Sequence, residues 1–302
     1  MMTREKFAQF LEPYLFQVYE QTIEQGDDLV TRLYNVNTSE KAEEKVAGIG
    51  NLGLMQKWNG SVYYDTPNPL WDKVYRHEKY SIGIMIERDL WEDAQYPEIK
   101  SRINGATLSV HRTRQLHATS VFNNAFDIDF PGPDGRPLCA TDHPLYPGAT
   151  KVQSNAGTSA LTIDNIEATR IAMMNFTDDR GKKLLIQPDT ILVSPSLQMR
   201  VEEFLKSDGR ADTDNRADNV RKNAYNIIVL PLLEDSNNWF MVDSKLMKQY
   251  LMWFERRKPI PERDEDFDTE TLKWKYVCRY SFGFHGWQWI YGHNVAQIDG
   301  QA

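Results

Sequence analysis

The segment from Trp71 to Ile86 constrains the fold most, because its residues alternate between two faces over the length of a long β-ribbon. One face carries Val74, Arg76, Glu78, Tyr80, Ile82, Ile84 and Ile86, and the other carries Lys73, Tyr75, His77, Lys79 and Ser81. In its first half the ribbon mixes aromatic and charged side chains on both faces, so it cannot form a dry core by itself. Since long two-stranded ribbons are marginal alone, the sequence predicts that this one rests on a neighbouring molecule. An edge hairpin lying on its own domain is the alternative.

The residues before the ribbon also need a neighbouring surface to pack against. Asn59-Gly60 is a hairpin-turn signal. Residues 5–20 have the spacing of a short amphipathic helix, with Phe7 and Phe10 on its apolar face and Pro13 at a kink or a start. A polar, charged stretch then runs to about Lys45. This arm has too little apolar material to fold alone.

The longest helical candidate runs from Tyr96 to Phe126, with Pro97 in its first turn. Ile99, Ile103, Ala106 and Val110 trace one apolar stripe along it. A helix of that length extends about 45 Å, which is long for a globular domain. Gly105 interrupts it, either for close packing or as a bend point.

The second half predicts mixed α and β structure. The predicted elements are a helix over Thr162–Asp178 capped by Asp164 or Thr162, a strand over Thr190–Val193, a helix over Leu197–Ser207, and strands in "NIIVLPLL" and "WFMVD". An acidic loop, Glu262–Glu270, follows a small basic cluster. Leu272 to Phe282 then alternates cleanly, which places Cys278 on a buried strand face as an inert thiol.

Composition excludes several function classes. The 302-residue chain has a net charge of −8, so no global basic field exists to hold nucleic acid. Two cysteines cannot build a disulfide framework or a four-cysteine zinc site. The start lacks the apolar run of a signal peptide, and no stretch predicts a membrane-spanning helix. We expect synthesis in a reducing cytoplasm.

The sequence "GIGNLG" at Gly48–Gly53 matches the glycine pattern of a dinucleotide site. Such a site needs a buried strand before the glycines and a helix after them. Here the charged segment Ser39–Lys45 precedes, and Lys57-Trp-Asn-Gly follows. We therefore expect a flexible joint rather than a cofactor site, and the sequence predicts neither a cofactor nor a metal.

"GRPLCATDHPLYPG" places Cys139, Asp142 and His143 within five residues. Side chains this close in sequence rarely adopt a nucleophile–base geometry, since catalytic partners normally come from separate elements. Three prolines and two glycines are typical of an ordered turn. We predict a structural loop and no enzyme. A soluble hydrolase using Asp142 and His143 is the alternative.

The order of these pieces resembles tailed-phage major capsid proteins of the Mu-like major head subunit family. The resemblance covers nearly the whole chain. It is carried by "SVYYDTP" and "KVYRHEKYSIGIMIERDLWED", the long helix ending "FNNAF", "TDHPL", "LLIQPDTILVSPSL", "WFMVD" and "RYSFGFHGWQWIYGHN".

This resemblance implies an α+β fold of the Hong Kong 97 type. It implies an N-terminal arm over residues 1–45 and an extended β-hairpin loop over 46–88. A peripheral domain with a long spine helix would take residues 89–135 and 248–284, and an axial domain 136–247 and 285–302. "GRPLCATDHPLYPG" would connect the spine helix to the axial domain.

The function implied is a major capsid protein of a tailed double-stranded DNA phage or prophage, assembled in the bacterial host cytoplasm and located in the virion. Subunits would form pentamers and hexamers of an icosahedral shell that encloses DNA without sequence-specific binding and without a membrane. A separate scaffolding protein, a portal, a maturation protease and a decoration protein would be the partners. No lysine–asparagine crosslink is expected. An encapsulin-like nanocompartment shell is the alternative of the same fold.

We expect contacts between subunits at three places. The predicted contact residues are Trp58, Tyr63, Tyr64, Trp71, Lys73, Tyr75 and Arg76 on the ribbon, Phe7 and Phe10 on the arm, and Arg256, Arg257 and Asp264 around the acidic loop. Aspartate in place of Trp71 or Tyr75 is expected to impair assembly and to leave the monomer folded.

Overall fold

The computed structural model describes residues 13, 17, 28–93, 96–206, 222–266 and 268–296. They form two compact units. The first comprises the described parts of Met1–Glu44, Tyr75–Ala118 and Trp253–Phe282, and the second those of Lys45–Val74, Thr119–Met252 and Gly283–Ala302. The predicted arm helix, including Phe7 and Phe10, lies outside the described residues, apart from Pro13 and Gln17, which are helical.

The described elements alternate irregularly between helix and strand. The helices are α1 Leu29–Leu33, α2 Arg88–Glu92, α3 Tyr96–Asn123, α4 Ile163–Met174, α5 Pro195–Lys206 and α6 Ser244–Tyr250. The strands are β1 Asn35–Thr38, β2 Glu43–Val46, β3 Lys73–Arg76, β4 Glu78–Glu87, β5 His143–Pro144, β6 Val152–Gln153, β7 Ala156–Gly157, β8 Thr190–Val193, β9 Asn226–Val229, β10 Trp239–Val242, β11 Leu251–Asp266, β12 Thr271–Phe284 and β13 Ile290–His293. None of the described helices is long and apolar enough to cross a membrane.

The first unit is built on a four-stranded sheet in the order β1–β11–β12–β4. Strands β12 and β4 are antiparallel, with Thr271 opposite Glu87 and Tyr280 opposite Glu78. The predicted stripe of α3 packs on this sheet: Ile99 and Ile103 form one apolar cluster with side chains of β4 and β12. The predicted alternation of β12 is confirmed, because its apolar face from Leu272 to Tyr280 is buried.

Helix α3 has 28 residues, which gives about 42 Å of helix. It ends at Asn123 rather than at the predicted Phe126. The Asn123 side chain donates to the Leu232 carbonyl at 3.1 Å and accepts from the Glu234 amide at 3.1 Å, so it bonds to another segment of the second unit. Close packing at Gly105 was the wrong interpretation, because among the described residues no atom outside the backbone of its own helix lies within 4 Å of where a Cβ would stand.

The second unit is built on a five-stranded sheet in the order β7–β13–β10–β8–β9. Strand β10 lies antiparallel to both β13 and β8, and β8 lies parallel to β9. All four residues of β10 are fully buried, which explains why "WFMV" is apolar throughout rather than alternating. Thr162 caps α4 by accepting from the Asn165 amide at 3.2 Å. Asn175 is the C-cap of this helix, so the helix ends at Met174, before the predicted end at Asp178.

The acidic segment is not the predicted loop. Strand β11 continues through Glu262 to Asp266, and the chain turns only over residues 268–270. Basic side chains of β12 face these carboxylates across the hairpin: Lys275 lies 3.4 Å from Glu262, and Lys273 bonds to Asp266. Opposite charges on paired strands stabilise the extended conformation, so the acidic run can form a strand.

Residues 47–72, which we call the exposed loop, carry no strand pairing beyond one isolated bridge between Ile49 and Pro69. Regular pairing is confined to the base of this loop, where β2 and β3 form a two-stranded sheet. Gly60 has the positive φ of a turn residue, +105°, but no ladder flanks it within residues 47–72. Pro67 and Pro69 lack backbone donors, which explains why a regular ladder does not form here.

Candidate assembly surface

The exposed loop presents apolar side chains to solvent. Eight large apolar residues of this loop are exposed: Ile49, Leu52, Leu54, Met55, Trp58, Val62, Tyr63 and Tyr64. Met55 is fully exposed, and Tyr64 and Trp58 are 87% and 69% exposed. Single exposed apolar residues are normal on a monomer, but a run of this size marks a surface that another molecule covers.

The two arms of the exposed loop are held together near its base by backbone hydrogen bonds. The Gly50 amide donates to the Asn68 carbonyl at 2.8 Å, and the Leu70 amide donates to the Gly48 carbonyl at 2.9 Å. A Cβ on Gly48 would lie 2.2 Å from the Trp71 carbonyl oxygen. Gly48 therefore serves a close backbone approach, which accounts for this glycine without a flexible joint.

Three predicted contact residues, Trp58, Tyr63 and Tyr64, lie together in the tip of this loop, which we define as residues 54–64. Trp71 is half-buried at its base. Lys73 is half-buried as well, with its ammonium 5.8 Å from the centre of the Phe284 ring. Burial lowers the pKa of Lys73, and the charge of Asp134 opposes that shift.

The other described contact residues lie in the first unit. Tyr75 is buried, with its ring 5.1 Å from that of Phe254. It has little surface left for a neighbour, and aspartate there would disturb the subunit itself. Arg76 is exposed and pairs with Glu43 at 3.4 Å. Arg256, Arg257 and Asp264 are exposed on β11.

Sequence reasoning missed the aliphatic part of the loop surface. Leu54 and Met55 are exposed beside the aromatic residues of the tip, and Leu52 precedes them. These residues follow neither a helical nor a strand period, so no pattern assigned them to a core. An apolar run without periodicity between glycines and prolines was the available signal.

The residues of "GRPLCATDHPLYPG" do not form a catalytic pair. His143 is fully buried, its Nδ1 lies 2.6 Å from Asp134 Oδ2, and its ring stacks on Trp287 at 4.4 Å. Asp142 instead pairs with Arg136 at 2.8 Å in an exposed position. The alternative hydrolase needs the Asp142 carboxylate bonded to the His143 ring, but in the structure each of these side chains bonds to a different partner.

Cys139 is structural too. Its amide donates to the Ala125 carbonyl at 2.7 Å, and its sulfur lies where a side chain on Gly292 would clash. Burial raises the pKa of the Cys139 thiol, which disfavours the reactive thiolate. Cys278 is buried on β12 as predicted, and burial raises its pKa also.

Comparison with known proteins relates this chain to capsid proteins. A family model described as phage capsid protein matches residues 72–292. No match was found among curated proteins.

Three solved structures illustrate the likeness in fold. A virus-like particle from Pyrococcus furiosus is 10% identical with a TM-score of 0.56, and the match covers 93% of this chain and 98% of that one. The capsid of a native GTA particle is 13% identical with a TM-score of 0.57, covering 90% and 91%. The procapsid of bacteriophage JBD30 is 13% identical with a TM-score of 0.53, covering 99% and 77%.

The fold and the apolar loop thus agree with a subunit that buries surface against its neighbours. Since the family model covers well over half of the chain, this chain belongs to the phage capsid protein family, functions as a major capsid protein and has the α+β fold of Hong Kong 97-type capsid subunits.

Proposed function

We propose that this chain is the major head subunit of a tailed double-stranded DNA phage or prophage, and that it assembles as pentamers and hexamers into an icosahedral shell around the genome. The exposed loop carries this proposal. Trp58 and Tyr64 keep most of their surface in solvent, whereas Trp239 and Trp253 of the same chain are fully buried. The neighbour that covers the tip in this proposal is a second copy of the chain.

The same proposal assigns the parts of the chain. Residues 1–45 form the arm, 46–88 the extended loop, 89–135 with 248–284 the peripheral domain, and 136–247 with 285–302 the axial domain. The exposed residues Arg256, Arg257 and Asp264 are offered as a second contact, where charges of both signs on one strand can meet a copy of themselves.

Assembly takes place in the bacterial host cytoplasm, and the finished shell is part of the virion. A scaffolding protein, a portal, a maturation protease and a decoration protein are the proposed partners. The net charge of −8 supports a wall that encloses DNA without sequence-specific binding. No chemistry is required of the subunit.

The experiment is co-expression with a candidate scaffolding protein, followed by electron microscopy and measurement of the lowest subunit concentration that forms particles. Closed shells, or five- and six-fold rings, support the proposal. A strict monomer at every concentration contradicts it. Protein cargo in place of DNA inside the particles would select the nanocompartment alternative.

Two variants test the role of the tip. Removing an aromatic anchor from an interface typically costs about 2 kcal/mol or more, so Trp58→Ser and Tyr64→Ser should each raise the threshold concentration about 30-fold. Met199→Ser is the matched control, because this side chain is 83% exposed but lies on α5. Equal effects from all three substitutions would remove the special role of the tip.

A further inference from the structure

The turn at residues 178–182 is fixed by its own hydrogen bonds. The Asp178 carboxylate accepts from the Arg180 amide at 2.9 Å and from the Lys182 amide at 2.7 Å. Gly181 has a φ of +76°, which closes the turn. The side chains of Asp179 and Arg180 therefore project from a backbone of defined geometry.

Asp179 bonds to both arms of the exposed loop. Its Oδ1 accepts from the Asn51 amide at 3.0 Å, on the arm before the tip. Its Oδ2 accepts from the Asn68 side-chain amide at 3.1 Å, on the arm after the tip. Asp179 is only 9% exposed. One carboxylate thus ties together two segments that the chain separates by the whole tip.

Arg180 adds a second attachment closer to the tip. Its guanidinium contacts Asp65 through two nitrogens, at 2.7 and 3.2 Å, and donates to the Thr66 carbonyl at 2.9 Å. Asp65 in turn accepts from the Gly53 amide at 2.6 Å. The Gly53 hydrogen bond, with the help of Arg180 and against desolvation, lowers the pKa of Asp65.

The glycine pattern of the sequence fits these contacts. A Cβ on Gly50 would lie 2.6 Å from Asp179 Oδ2, and a Cβ on Gly53 would lie 3.0 Å from Asp65 Oδ2 and 3.2 Å from Arg180 Nη1. Contacts below 3.0 Å force a neighbour to move. Of the glycines that resembled a phosphate loop, Gly50 is therefore small because Asp179 packs on it, and Gly53 because Asp65 and Arg180 do.

A contribution to the unfolding free energy alone explains the contacts of Arg180 and Asp65 poorly. Charge pairs near the surface contribute little to stability, and Arg180 Nε is buried without a hydrogen-bond partner among the described residues. A bidentate arginine–carboxylate contact instead fixes direction as well as distance. Fixing the base of a loop lowers the entropy that its tip loses on binding.

We propose that Asp65, Asp179 and Arg180 form a latch that positions the tip, with Trp58 and Tyr64, for capture by the next subunit. The inference rests on the proposed assembly through the exposed loop. The latch residues are positioning residues, and they need not touch the neighbour.

The test compares Gly50→Ala and Arg180→Ala with two controls. Gly105→Ala is the glycine control, because in the part of the chain that the structure describes its Cβ would meet nothing within 4 Å beyond its own helix backbone. Arg136→Ala is the arginine control, because Arg136 forms an exposed pair with Asp142 in the same unit. Hydrogen exchange at the Asn51 and Gly53 amides reports the latch, the threshold concentration for particles reports assembly, and thermal unfolding reports the subunit.

Overpacking of the kind that Gly50→Ala introduces should speed exchange at these amides by about 5- to 140-fold. In both latch variants we expect a higher threshold concentration and an unfolding temperature close to that of the parent chain. In the two controls we expect neither faster exchange nor a higher threshold concentration. Unchanged exchange, or faster exchange with an unchanged threshold, overturns the latch while the proposed function stands. A parent chain that forms no particles overturns the proposed function, and the inference with it.

Discussion

Acidification should weaken the second unit through one buried histidine. His293 is 4% exposed, and its ring stacks on Trp239 at 4.2 Å. Its Nδ1 accepts from the Ser159 amide at 3.2 Å, and its Nε2 lies 2.8 Å from Thr169 Oγ1. An acceptor at Nδ1 requires the neutral ring, and burial lowers the pKa of His293 to about 4.

The sign of the pH effect follows from proton linkage. Above the ordinary histidine pKa of 6.5 both folded and unfolded chains carry a neutral ring, so the contribution to stability is fully present. Below it the unfolded chain binds a proton that the folded chain excludes until about pH 4. A shift of 2.5 units corresponds to about 3 kcal/mol of unfolding free energy, and about 2 kcal/mol of it is lost by pH 5.

The assay is urea unfolding of the unassembled subunit at pH 7, 5 and 4, in the parent chain and in His293→Gln. Other histidines titrate in both proteins, so the difference between the two isolates His293. That difference should shrink by about 3 kcal/mol from pH 7 to pH 4. A difference that stays constant with pH would refute the reasoning, as would a His293 pKa near 6.5 in a direct NMR titration.

Three further predictions concern buried groups of the subunit. Arg114→Met leaves Glu255 buried without its partner and should cost about 3–5 kcal/mol of unfolding free energy, more than replacing both residues by methionine. Tyr75→Asp should lower the unfolding temperature of the monomer, because the phenol is buried in the subunit; an unchanged monomer would contradict this. Cys139 and Cys278 should react with a thiol reagent only at the rate of unfolding, which a denaturant series measures, since both are buried.

Local sequence patterns determined most of the regular elements. The stripe through Ile99 and Ile103 predicted both the helix and its buried face, and the alternation through Trp274 predicted strand β12. Thr162 could be named as a helix cap, together with one alternative, because capping depends on residues three positions apart. Such features depend on neighbours along the chain, so the sequence contains them directly.

The sequence also predicted that the loop around Trp58 contacts another molecule, but it did not predict how many residues of the loop are exposed for that contact. Its exposed aliphatic residues, such as Met55, have no period and were not recognised. Tyr75 continues the ribbon pattern yet is buried against Phe254. Alternation assigns a residue to a face, whereas the tertiary fold decides which face is covered.

Only the tertiary structure decided the partners of the charged residues. His143 follows Asp142 directly but bonds to Asp134. Asp179 bonds to Asn51, 128 positions away. Burial and pairing of polar groups depend on which distant segments the fold brings together, and that information is not present in any local window of residues. The sequence could therefore predict a capsid subunit with an exposed loop, while the contacts that hold the loop became visible only in the folded chain.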